Sequence, residues 1–392
     1  MDPDFGRIDD TLAAADADAY LVNADSEDAT QRYLSGFDAP DPFFTCYTPT
    51  GVWLLVSGLE YGRAREQARA AEVRRYADYD RRALVEEHGE RTGVAKTVAA
   101  FLADADAESV LVPERFPLGI ADALRAESVE IDVDTDDVVG EIRATKTDEE
   151  VGYIETAQTA NEAAMAAAEE LLREASVDDD GRLVHGGDLL TSERVRTEIE
   201  HTLLDHGCAL DETIVACGSD AADPHERGSG PLVADEPIIV DIFPRDAETK
   251  YHGDMTRTFL VGEPSAELTR RYDHTHEAMI AALDTVEAGV TGADVHDAVC
   301  DVYEAAGYET FRSDPTTETG FIHSTGHGVG LEVHEAPSLS PRGEELEPGH
   351  VITVEPGLYD PAVGGVRIED TVVVTADGYR NLTDYPVELI VE

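Results

Sequence analysis

The chain has 392 residues, enough for two domains or one large one, and 42% of them are hydrophobic, so a sizeable core is available. Acidic residues outnumber basic ones 84 to 29, for a formal net charge of −55. Such a charge repels polyanions and so argues against nucleic acid or anionic membrane as a partner.

The basic residues are skewed as well: three are lysine (Lys96, Lys146, Lys250) and the other 26 are arginine. Abundant carboxylate with little lysine resembles proteins of salt-loaded cytoplasms, where screening removes the self-repulsion that opens a compact state. The start, MDPDFGRIDDTL, has no basic region followed by an apolar one, so no leader is expected. No run approaches the roughly 18 apolar residues of a spanning helix. Cys46, Cys208, Cys217 and Cys300 are scattered without a CxxC pair and read as reduced thiols. The expected location is the cytoplasm.

In chain order, residues 19–23 and 52–57 are short apolar runs, 60–71 and 92–103 read as helices, 109–112 as a strand, 118–127 as a helix and 129–133 as a strand. This is α/β order. Residues 33–37 (YLSGF) read as a turn with packed aromatics. A boundary falls at residues 141–146, where a strand ends and charges cluster, giving expected domains of 1–143 and 144–392. Thr147 and Glu150 fit a capping box that opens a long alanine-rich helix over 148–175. A polar loop over 176–187, a helix over 189–206 and strands over 212–217, 237–243 and 252–261 follow. The same order then recurs: helices over 266–287 and 293–306, and strands over 329–334, 350–356 and 366–375. Two halves of equal element order would meet in one curved sheet with helices outside.

In a chain this acidic, only carboxylates that interrupt apolar strands are informative, because an unpaired buried charge is expensive. Asp241 follows Ile238-Ile239-Val240, Asp254 opens a run that ends at Val261, Glu355 follows Val351-Ile352-Thr353-Val354, and Glu369 lies between Val366 and Val374. Asp241 and Asp254 are 13 apart and Glu355 and Glu369 are 14 apart, spacings that suit adjacent antiparallel strands. Four inward carboxylates resist joint ionisation, and a cation is the remedy. Arginine pairing is the structural alternative, with Arg257 and Arg367 nearby.

The segment FIHSTGHGVGLEVHEAP holds His323, His327 and His334 within twelve residues. His323 and His327 stand at i, i+4, but Gly326, Gly328 and Gly330 disfavour a helix. The expectation is a glycine-rich turn running into a strand, with Glu332 and His334 on one side of it and Leu331 and Val333 on the other. Four carboxylates with one imidazole suit two divalent ions, and oxygen-rich ligation favours Mn²⁺, with Co²⁺, Fe²⁺ or Zn²⁺ as alternatives.

The pieces VDIF…HGDMTRTF, TGHGVGLEVHE, VITVEPGLY and GGVRIEDTVVV, in that order, resemble the pita-bread metallopeptidases, and cover most of the chain after residue 148. IRATKTDEEVGYI at the junction is similar to the two-domain Xaa-Pro aminopeptidase, prolidase and creatinase branch. The resemblance implies an α/β (α+β catalytic) architecture: a pita-bread domain of two pseudo-twofold related halves behind a smaller creatinase-like α/β domain. It implies metal ligands Asp241, Asp254, His327, Glu355 and Glu369, with Asp254 and Glu369 bridging two ions. It makes His334, His225 and His323 substrate-facing histidines and Glu355 a proton shuttle. It implies a peptide substrate, a homodimer, and hydrolysis of Xaa–Pro bonds by a hydroxide bridging the ions.

This sequence departs from the family pattern after Asp241, where Ile242-Phe243-Pro244-Arg245 replaces a small residue and glycine, and around His225. The competing readings are a metal-free creatinase-like amidinohydrolase and a non-catalytic binding protein on the same fold. Neither needs all five ligand positions, and all five are present.

Raising salt from about 0.1 M to about 1 M shortens the Debye length from roughly 10 Å to roughly 3 Å. The melting temperature is therefore expected to climb steeply over that range. A melting temperature independent of salt would refute the adaptation to high ionic strength.

Overall fold

A computed structural model of the chain describes residues 5–210 and 212–391; the first four residues, part of the leader reading, lie outside them. The chain divides into two units, one ending at Arg143 and the other starting at Ala144.

In the first unit the α/β signals become a six-stranded mixed sheet, in the order Glu72–Arg75, Gly51–Val56, Phe43–Thr48, Ala19–Ala24, Ser109–Pro113 and Glu130–Asp134. Helices Glu90–Asp104 and Leu118–Ala126 pack Val98, Phe101 and Leu124 against Leu21, Phe44 and Val110 of the sheet. The strand Phe43–Thr48 is buried along its whole length, so it shows no alternation to read. Residues 33–37 are not a simple turn. Tyr33 to Ser35 finish the helix Ala29–Ser35, capped by Asp28 at its start and by Gly36 in the left-handed region (φ 58) at its end. The helix expected over 60–71 stops at Gln67, and Glu72–Arg75 is an edge strand.

In the second unit the capping box is present: Thr147 accepts from Glu150 N, Glu150 returns a bond to Thr147 N, and the helix Asp148–Arg173 follows. The boundary at residues 141–146, expected to close a strand, instead falls at the end of the helix Val138–Ala144. The loop after Asp148–Arg173 contains a small three-stranded sheet, Ser176–Val177, Leu183–His185 and Asp188–Leu189. The helix Ser192–Asp205 leads into an antiparallel sheet ordered Thr213–Cys217, Ile238–Ile242, Met255–Phe259. The second half repeats the plan. Helices Ala266–Thr285 and Gly292–Ala305 precede a sheet ordered Glu335–Leu339, Gly326–Gly328, Val351–Val354, Asp370–Thr375, Gly378–Asn381.

Strand parity decides which side chains meet. Ile238, Val240, Ile242, Met255 and Phe259 pack against the first helix pair, while Ile352, Val354, Val366, Ile368, Val372 and Val374 pack against the second. With a period of two, the intervening residues Asp241, Thr256, Thr353, Arg367, Glu369 and Thr371 are sent to the opposite face. The two sheets join there: Glu369 N donates to Thr256 O at 3.1 Å, and Arg367 N to Thr258 Oγ1 at 3.0 Å.

Two expected strands differ from the observed ones. The expected strand over 329–334 is a loop, and the glycine segment before it is the strand, Gly326–Gly328, paired with Glu335–Leu339 across a bulge. The glycines serve close backbone approach and not turn flexibility. A Cβ on Gly326 would collide with the Thr353 carbonyl, and one on Gly328 with the Ala336 carbonyl. The expected strand over 366–375 is interrupted: Gly364–Arg367 pairs with Gly357–Asp360, and Asp370–Thr375 with Val351–Val354. The same two strands thus pair in one register on either side of a break in the ladder at Glu355-Pro356 and Ile368-Glu369.

Arg257, 1% exposed, ties these pieces together. Its guanidinium donates to the carbonyls of Thr256, Glu369, Tyr385 and Pro386 and to Asp370 Oδ1 at 2.8 Å. Replacing Arg257 with Met strands the buried Asp370 carboxylate, so urea unfolding is expected to show a loss of about 3–5 kcal/mol. Lys at this position is expected to recover little of it, because the five-donor fork is what the site uses. An R257M chain as stable as the parent would contradict this.

Candidate metal centre

The shared polar face opens into a cleft of about 1010 Å³. All eight residues singled out above line it: Asp241, Asp254, His327, Glu355, Glu369, His225, His323 and His334. Asp241 is the penultimate residue of the strand Ile238–Ile242, and Asp254 lies just before Met255–Phe259. Glu355 and Glu369 extend the Val354↔Asp370 register by one residue and sit at the break in the hairpin ladder.

His327 Nε2 lies 3.3 Å from Glu355 Oε1 and 3.8 Å from Asp254 Oδ2. Ligand atoms of Asp254, His327 and Glu369 all fall within 4.8 Å of one another. His327 Nδ1 is 3.2 Å from the Gly328 carbonyl, which suits an Nδ1–H donor and leaves Nε2 aimed at the carboxylates. Its backbone N–H donates to Thr353 Oγ1 at 3.1 Å. Asp254 is held by backbone: Gln158 bonds both its N–H and its carbonyl, and Thr371 Oγ1 donates to the same carbonyl. Thr256 Oγ1 donates to Glu369 Oε2 at 2.7 Å.

The arginine alternative is answered residue by residue. Arg367 bonds Asp241 Oδ2 at 2.6 Å, and its other nitrogens reach Thr256 Oγ1, Tyr359 Oη and the Pro224 carbonyl. Arg257 takes Asp370 and leaves the cluster alone. Among the described residues, no arginine or lysine forms an ion pair with Asp254, Glu355 or Glu369. Asp241 Oδ1 is buried with no hydrogen-bond partner, an atom still open to a cation.

The electrostatics follow from this crowding. Burial first, and then the neighbouring carboxylates, push Asp254 and Glu369 well above the ordinary carboxylate range. Burial also raises Asp241, against the pull of Arg367. Glu355 goes the other way. Burial opposes ionisation, but the His327 hydrogen bond and charge draw the carboxyl down to about 2. His327 is raised in turn, Glu355 outweighing burial. A donor set of four carboxylates and one imidazole, with oxygens open and protons retained for lack of countercharge, fits divalent ions.

The three histidines sit around this cluster. His334 stands edge-on to His327 with ring centroids 4.1 Å apart, and burial followed by the His327 charge lowers its pKa. Both nitrogens of His323 are committed, Nδ1 to the Ser324 carbonyl at 2.6 Å and Nε2 to Tyr359 Oη at 3.0 Å. Burial takes His323 down to about 4, so it is neutral. His225 is exposed at the rim, its N–H bonded to Asp223 Oδ1. Arg245 does not line the cleft; it pairs in a short strand with Cys208–Ala209, whereas its neighbour Phe243 is part of the wall.

Sequence reasoning missed Gln158, Tyr359, Thr256 and Thr353. Only Gln158 carried a usable signal, a polar residue on the stripe Val151, Ile154, Gln158, Asn161 of an otherwise apolar helix face.

Comparison with known proteins agrees with this geometry. Residues 152–376 match metallopeptidase family M24, and residues 6–145 match the creatinase/prolidase N-terminal domain. The chain is 30% identical over 342 residues to the Xaa-Pro dipeptidase of Pyrococcus furiosus, covering 86% of each. Its fold superposes on the Xaa-Pro dipeptidase of Bacillus anthracis with a TM-score of 0.83 at 26% identity, covering 98% of each chain. On the X-Pro aminopeptidase of Thermotoga maritima the TM-score is 0.78 at 25% identity, covering 96% of this chain and 98% of that one. No described helix is long and apolar enough to cross a membrane. The chain is a metallopeptidase and belongs to family M24, with a pita-bread catalytic domain behind a creatinase/prolidase-type N-terminal domain.

Proposed function

We propose that the cleft hydrolyses Xaa–Pro bonds, at the N-terminus of peptides or in dipeptides, with two divalent ions held by Asp241, Asp254, His327, Glu355 and Glu369. The convergence of these five side chains in one cleft, with the open Asp241 Oδ1 among them, carries the reading. Mn²⁺ is the favoured ion, by its preference for oxygen-rich sites. The relatives named as Xaa-Pro peptidases support the bond class. We also assign domains of 1–143 and 144–392, a homodimer, and a salt-loaded cytoplasm as the working environment.

When bound, the ions supply a water-derived nucleophile near neutral pH and polarise the scissile carbonyl. The chain's own groups do the rest. His334, neutral and beside His327, donates to the oxygen on which negative charge develops. Glu355 carries a proton to the departing proline nitrogen, a secondary amine that cannot leave as an anion. His323 offers the substrate its ring, since both its nitrogens are engaged, and His225 contacts the substrate from the rim. Arg367 holds Asp241 in one orientation and is locked in turn by Tyr359.

The test is release of the N-terminal residue from Xaa-Pro and Xaa-Pro-Yaa peptides at high salt, with and without Mn²⁺. Turnover is expected only with metal, and His327→Ala is expected to cost more than the roughly 100-fold typical of an outer-sphere change. Metal-independent turnover, or parental turnover in H327A, would overturn the assignment.

The raised carboxylates make a second prediction. Asp254 and Glu369 have folded pKa values above their unfolded ones, so the metal-free folded state binds more protons. Its stability therefore falls as pH rises from the ordinary carboxylate range through the folded values. Asp254→Asn is expected to raise the metal-free melting temperature at pH 7 and to shrink the further gain on adding Mn²⁺. A lowered metal-free melting temperature in D254N would contradict this.

A further inference from the structure

The catalytic unit buries a lysine outside the cleft. Lys146 Nζ lies 2.7 Å from Glu335 Oε1, and the two side chains are 1% and 5% exposed. Burying two charges costs several kcal/mol per ion unless each is held well, so the pair needs a reason to exist. Glu335 directly follows His334, and its pairing with Gly328 closes the loop 329–334. Its carboxylate lies against the Cα of Gly330, where a Cβ would strike the carboxylate oxygens. The Gly330 carbonyl accepts from His252 N at 2.9 Å. The loop that carries His334 is thus folded around the Glu335 carboxylate.

Lys146 stands on a fixed frame. Its N–H donates to the Gly349 carbonyl at 2.9 Å, and the capping box of the helix Asp148–Arg173 begins at the next residue. It does not line the cleft.

We propose that Lys146 is a positioning residue: through Glu335 it fixes the loop 329–334 and so the place of the His334 imidazole beside His327. This rests on the reading of His334 as the donor to the developing oxyanion. A misplacement of about 1 Å in such a group costs roughly 100-fold in rate. Without Lys146 the Glu335 carboxylate loses the ammonium 2.7 Å away, and the contact that supports Gly330 is no longer fixed by it.

A double-mutant cycle on the full-length Mn²⁺ enzyme tests this. K146M/E335M replaces the pair by apolar side chains of similar length, an exchange that often preserves stability. Melting temperature and metal content are expected at parental values, KM within about twofold, and kcat down at least about tenfold. In an H334A background the same exchange is expected to change kcat by less than about twofold, because the group it acts through is gone. Parental kcat in K146M/E335M, or losses that multiply with that of H334A, would overturn the proposal. E335Q, which keeps the shape and removes the charge, completes the same cycle if the double variant does not fold. A parent that cleaves no peptide overturns the functional reading itself, and a parent that cleaves while H334A keeps parental kcat overturns only the part assigned to His334 and Lys146.

Discussion

Four carboxylates, three buried and Glu355 half-buried, on the one face the two half-sheets share impose the constraint on which the catalytic unit depends. Removing an anion from water costs several kcal/mol even after relaxation. The protein answers part of that cost from within: Arg367 serves Asp241, and His327 serves Glu355. Asp254 accepts from Gln158 at its backbone carbonyl and Glu369 from Thr256 at its side chain, but neither pairs with an arginine or lysine among the described residues. The cluster is balanced only by cations from outside. Its cost is met by the apolar half of each strand, which the two helix pairs bury on the other face.

Much of the site was legible because strand parity is a local code. A carboxylate that interrupts an apolar run must either be paired or be used, and four such interruptions at hairpin spacings point to one place. The helix opened by Thr147 and Glu150 was legible for the same reason, since the capping box is written in four residues. What was not legible depends on distant neighbours. Gly326 and Gly328 read as a flexible turn, yet they form a strand, because the reason for glycine is the carbonyls of Thr353 and Ala336 arriving from elsewhere in the chain. The seven-residue helix Ala29–Ser35 is too short to show a period, and Phe43–Thr48 is buried on both faces and shows no alternation.

The interrupted hairpin explains how one segment supplies two chemistries. Where the hairpin ladder is interrupted, Glu355 and Glu369 occupy the break, with Arg367 two residues before Glu369. The register is the same on both sides, so the break leaves Glu355 and Glu369 as cross-strand counterparts outside the regular ladder. Arg257 secures the same break through the Glu369 carbonyl and Asp370. Two arginines near four carboxylates therefore divide the work. One orients the Asp241 carboxylate, and the other holds the backbone that presents Glu369.

Charge acts on this chain at two scales that obey different rules. The 84 acidic residues give a field that mobile salt can screen, because most of them face water. The few inside the cleft are beyond the reach of a salt atmosphere, since screening requires ions to approach and the cleft walls exclude a diffuse layer. Adding monovalent salt therefore relieves the surface and leaves the cluster strained, while a divalent ion relieves the cluster and changes the surface field by a small fraction. On the function proposed above, two separate counter-charges act on this chain, one diffuse and one bound, and neither substitutes for the other.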